Sequence, residues 1–171
     1  MRRIALSLFL FCTVNMINAQ NPFFEKYNTP HQTVPFDKIK NEHYEPAMLE
    51  GIKLHEAEIE AIINNPEAPT FANTIVAYEK SGKFLDRVTT VFGNLRSAET
   101  NDDLQKIAQK MIPLLSEHSN NISLNEKLFQ RVKAVYKQKS KLSLTIEQAK
   151  LLDDIYDGFV RRGANLQGEA R

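Results

Sequence analysis

The stretch "LHEAEI", residues 54–59, sets His55 beside Glu56. When a second His follows four residues after the first, a helix carries both imidazoles on one face. A metal held there activates a water, which the intervening Glu deprotonates. Four residues after His55 stands Ile59, which ligates nothing, and the other histidines (His31, His43 and His118) make no i, i+4 pair. The spacing therefore puts His55 and Glu56 on the polar side of an ordinary helix, with the remaining histidines scattered along the chain. Two charged groups also invite a site. Arg131, Lys133, Lys137, Lys139 and Lys141 form a basic run with no acid between Glu126 and Glu147. Without an aromatic ladder or a nucleic-acid motif beside it, the run reads as a solvated helix end that complements the negative pole of the dipole. Asp153, Asp154 and Asp157 alternate with apolar residues, as on any amphipathic helix. There is no Gly-rich phosphate loop and no Gly-x-Ser-x-Gly elbow, so no catalytic residue is assigned.

The elements that carry these residues are helical by pattern. Met48, Leu49, Ile52, Ile59, Ile62 and Ile63 recur at i, i+3, i+4 spacing, with Pro46 in the first turn, where its missing N–H costs nothing. Pro66 and Pro69 end that helix. Thr70 caps a shorter one, with Phe71, Ile75 and Tyr78 inward and Gly82 at its end. Phe84, Leu85, Val88, Val91, Phe92 and Leu95 mark the next. "TNDD", residues 100–103, supplies a cap and then acids facing the positive pole. Leu104, Ile107, Ala108, Met111, Leu114 and Leu115 follow, with a kink expected at Pro113. Asn125 caps a helix with Leu128, Val132, Val135 and Tyr136 as its stripe. Thr145 with Gln148 reads as a capping box before Leu151, Leu152, Ile155, Tyr156, Phe159 and Val160. The fold class is all-α, a multi-helix bundle or array. Helices are predicted near 44–63, 70–81, 83–98, 101–119, 125–138 and 145–162. Phe71, Phe84, Phe92, Phe129 and Phe159 are assigned to its core.

Residues 1–19 read as a secretory signal peptide. "MRR" is a basic n-region, Ile4–Val14 is an apolar run of 11 residues, and Ala19–Gln20 is the expected cleavage point. Eleven apolar residues are too few to cross a hydrocarbon core of about 30 Å. Cys12 follows Phe11 rather than a small residue, which argues against a lipid anchor. Loss of Arg2 and Arg3 lowers the basic count from 22 to 20 against 21 acids, a net charge of −1, and leaves no cysteine for a disulfide or a thiol nucleophile. The expected product is exported, periplasmic or secreted, with no membrane attachment after cleavage and no nucleic-acid partner. Residues 20–36 carry three prolines and no helical period. They read as an extended lead-in, ahead of the helical lobe at 37–171, whose Phe23, Phe24 and Tyr27 are apolar enough to dock on something.

Several strings, taken in order, carry a resemblance: "NPFFEKY", "FDKIKNEHYEPAMLEGI", "IINNPEAPTFANTIVAYEKSG", "LDRVTTVFGNL", "ETNDDLQKI", "ISLNEKLFQRVKAVY" and "FVRRGANL". Together they resemble the N-terminal region of the thimet-oligopeptidase-like zinc metallopeptidases, above all the bacterial peptidyl-dipeptidases. The resemblance implies the N-terminal lobe of a longer, almost wholly helical enzyme with two lobes around a channel that admits short peptides. In that family a His-Glu-x-x-His helix and a downstream Glu bind zinc toward the C-terminus. None of those residues has a counterpart here. No metal or cofactor residue is carried over, and no zinc is expected on this chain. Because the sequence stops at Arg171, where the family continues, it is expected to be a truncated piece lacking the C-terminal catalytic region. The parent is expected to act on short peptides. The alternative is an independent exported helical binding or interaction domain without enzymatic activity.

Overall fold

The computed structural model describes residues 21–165, so the signal sequence and the Ala19–Gln20 cleavage point lie outside the described residues. All regular structure among these residues is helical, as the periodicity predicts. The helices are α1 (Tyr44–Ile63), α2 (Ala77–Lys80), α3 (Lys83–Ala98), α4 (Asp102–Ser123), α5 (Glu126–Tyr136) and α6 (Ile146–Arg161). A π-helical segment, Phe71–Val76, runs directly into α2. Thr70 caps it: its hydroxyl accepts the Asn73 N–H at 3.1 Å, and the Asn73 side chain accepts the Thr70 N–H at 2.8 Å. The cap was legible in the sequence, but the wide first turn was not. The cap at α4 and the box at α6 also form as read, with Leu104 N–H on Asn101 Oδ1 at 3.0 Å and Thr145 N–H on Gln148 Oε1 at 3.0 Å.

The chain divides into two compact units, one holding residues 21–51 with Phe84–Met111, the other Ile52–Lys83 with residues 112–165. In the first, the lead-in makes single 3-10 turns at Pro22–Phe24 and Pro30–Gln32 rather than one continuous extended segment, and a third turn, Asn41–His43, precedes α1. Its aromatics dock as the sequence suggests. Phe23 is fully buried and stands 5.3 Å from the Tyr44 ring, and Phe24 stacks on Phe84 at 5.5 Å. Arg87 fastens the segment by donating to Phe23 O at 2.7 Å, with its guanidinium 5.0 Å over the Tyr27 ring. Gly51 permits α1 and α3 to touch, since a Cβ there would lie 2.9 Å from Leu85 Cδ1.

The second unit packs α5, α6 and the π-helical segment on one another. Ile59, Ile75, Leu128, Phe129, Val132, Leu152 and Phe159 fill its core. Aromatic contacts line it: Phe129 and Phe159 stand 5.8 Å apart, and Tyr136 stacks on Tyr156 at 3.8 Å. Two apolar residues assigned inward are exposed instead, Leu49 at 43% and Leu114 at 38%. Each sits at the margin of a stripe whose other members already fill the buried face. Helix α4 runs through Pro113 and ends at Ser123 rather than near 119. Proline removes one backbone bond, and the following turns continue because Ile122 has a core to enter.

Candidate functional site

His55 is not on a purely solvated face, and the histidines are not all scattered. Residues 55 and 118 lie 63 positions apart, yet His118 Nε2 is 3.1 Å from His55 Nδ1, with the rings edge-on at 5.0 Å. His118 is 5% exposed. Its other nitrogen, Nδ1, is buried, makes no hydrogen bond, and lies 3.6 Å from Glu56 Oε1. That separation is too long for a hydrogen bond but within the reach of an ion pair. On the far side of the His55 ring, Nε2 is 3.2 Å from Ser81 Oγ. The ring also covers Gly82, where a Cβ would come within 2.7 Å of His55 Cε1. Gly82 has φ +71°, in the left-handed region that favours glycine, and its N–H donates to Glu58 Oε2 at 2.7 Å. Burial pushes the His55 imidazole below its ordinary 6.5. The neighbouring His118 adds to the depression, and Glu58 and Glu56 partly oppose it.

The cluster contains a serine, an imidazole and a carboxylate, the ingredients of nucleophilic catalysis, but not in that arrangement. A nucleophilic serine gives its proton to the imidazole. Ser81 instead donates its hydroxyl to Tyr78 O at 2.7 Å, within its own turn. Nor does the cluster suit a zinc ion. His55 spends one nitrogen on Ser81 and the other on His118, and Glu56 faces the opposite edge of the His118 ring. No group of three or more His, Cys, Asp or Glu among the described residues converges to hold a metal. An open groove of about 390 Å³ borders the cluster through Ser81 and Glu58 and is lined further by Asn65, Asn73, Ala77 and Lys80. A second of about 250 Å³ lies between Tyr78, Ser123, Asp154, Gly158, Phe159 and Arg162. Burial raises the Tyr78 hydroxyl above its usual range, and Arg162 pulls it partly back.

The other charged groups disperse into local contacts. Arg131 closes the loop before the π-helical segment, donating to Asn65 O at 3.0 Å and to Glu67 O at 3.3 Å. Lys133 lies 5.5 Å over the Phe129 ring, and Lys139 pairs with Asp153 at 2.7 Å. Asp154 pairs with Lys150, so these carboxylates do not converge. The His55–His118 pairing gave no signal in the sequence, because neither residue matches a motif and only packing brings them together.

No family model matches the chain. It is similar to the dipeptidyl carboxypeptidase of Salmonella typhimurium strain LT2, 45% identical over 149 residues, which make up 87% of this chain and 22% of that protein. The Escherichia coli K12 dipeptidyl carboxypeptidase is 43% identical over 150 residues, 88% of this chain and 22% of that protein. Oligopeptidase A of the same Salmonella strain is 24% identical over 149 residues, 87% of this chain and 21% of that protein. The chain thus spans about a fifth of the length of the curated relatives it matches. The resemblance read from its strings is borne out.

Proposed function

We propose that this chain, a relative of the dipeptidyl carboxypeptidases and oligopeptidases over one segment of their length, is the substrate-gating lobe of an exported zinc peptidase. The parent enzyme releases dipeptides from the C-termini of short peptides. The observation that carries this reading is the identity to two dipeptidyl carboxypeptidases across nearly nine-tenths of the chain. The all-helical content of the described residues supports it, because packed helices can wall a channel without supplying reactive groups. The chemistry itself lies outside this chain in this reading. The family's His-Glu-x-x-His helix has no counterpart in the sequence, and the described residues offer no substitute set of ligands. What these residues supply is shape: they exclude folded or long substrates by size.

The test is a dipeptide-release assay on blocked and unblocked short peptides. It is run on the 171-residue chain and on a product extended along its downstream coding sequence, each with and without chelator. Activity confined to the extended product supports the proposal. Chelator-sensitive cleavage by the 171-residue chain overturns it. A stop codon after Arg171, with a stable monomer inert toward peptides, favours an independent binding domain instead.

A further inference from the structure

The hydrogen bonds through His55 assign its protons one by one. Ser81 has a single hydroxyl proton, and Tyr78 O takes it at 2.7 Å. The Ser81 oxygen is left to accept from His55 Nε2, 3.2 Å away, so Nε2 carries a hydrogen. A neutral imidazole protonated at Nε2 is bare at Nδ1. That bare nitrogen accepts from His118 Nε2 at 3.1 Å. The whole chain of bonds therefore depends on an unprotonated His55 Nδ1. A second proton on His55 would occupy that nitrogen and meet the His118 N–H. Two donors would then face each other unless His118 moved its own proton to Nδ1, a buried nitrogen with no hydrogen-bond acceptor, since Glu56 Oε1 stands 3.6 Å away.

The carboxylates beside the ring offset this conflict only in part. Helix α4 presents His118 itself. From α1, Glu58 is engaged by the Gly82 N–H, and Glu56 lies against the far nitrogen of His118. The turn between α2 and α3 presents the Ser81 hydroxyl and the Gly82 backbone. The ring cannot retreat toward the turn, because it already lies against Gly82. It must swing away, which uncovers Gly82 and strips the Ser81 oxygen of its donor.

We propose that the His55–His118 contact is a pH-operated latch: it ties the Ser81–Gly82 turn to α1 and α4 while His55 is neutral, and frees that turn when His55 takes a second proton. The direction follows from linkage. The folded state holds His55 neutral more firmly than the unfolded chain does. As pH falls below the ordinary value of 6.5, the open state therefore binds protons that the closed state refuses. The latch is at full strength above that pH and weakens as pH falls through the window beneath it.

Nuclear magnetic resonance on the full chain tests this with two readouts. Ring nitrogen-15 shifts report which His55 nitrogen carries the proton, and amide exchange at Gly82, divided by the intrinsic rate, reports opening of the turn. The expected result is an Nε2–H tautomer at pH 7.5, with an opening constant that rises by up to about tenfold per pH unit below 6.5. His55→Gln keeps a donor for Ser81 but has no titrating nitrogen, and its Gly82 opening should be flat over the same range. An opening constant equal at pH 5 and pH 7.5 in the unchanged chain, or a pH dependence that survives in His55→Gln, overturns the latch. Should the variant not fold, the ring shifts of the unchanged chain decide: a neutral Nδ1–H tautomer, or a His55 titration above 6.5, also overturns it.

Discussion

Gly82 concentrates several constraints on one residue. Its φ of +71° and the His55 ring over its α-carbon both exclude a side chain. Gly82→Ala should lower stability by about 2 kcal/mol, through the left-handed backbone and the displaced ring. Urea unfolding would measure the loss, and a cost under half that value would mean the turn adapts. In the core, Phe129 is 1% exposed and touches both Phe159 and Tyr156. Phe129→Ala should cost about 3–5 kcal/mol in the same assay, since the cavity left behind cannot fully collapse. Depression of the His55 imidazole makes a further residue-scale prediction. Thermal stability should fall as pH drops below 6.5, and His55→Gln should flatten that slope without removing the carboxylate contribution at lower pH.

At the level of elements, α6 offers a paired contrast. Thr145 accepts the Gln148 N–H at 3.3 Å and closes its capping box, so Thr145→Ala should cost about 1 kcal/mol. The next residue, Ile146, is 87% exposed. Ile146→Glu should leave stability within about 0.5 kcal/mol, or raise it slightly, because an acid in the first turn faces the positive pole. Calorimetry on the two variants separates these outcomes, and equal losses would show that the box contributes nothing. The boundaries were legible because caps act on residues three positions away. The extension of α4 to Ser123 and the wide turn at Phe71–Val76 were not, because each is decided by what the next turn can pack against.

For the whole molecule, circular dichroism should show a helical spectrum without strand signature, and a substantial β component would refute the architecture. What the sequence by itself determined is the set of helices, their caps and the kinship to longer peptidases. Period, capping and matched strings are properties of residues near one another along the chain. Tertiary structure alone decided which polar groups meet. His55 lies on α1 and His118 on α4, 63 positions apart, and neither spacing nor composition relates them. Their contact depends on how each helix is rotated about its axis when its apolar face is buried. The apolar residues of both helices set that rotation, so the polar residues on the flanks meet wherever core packing carries them.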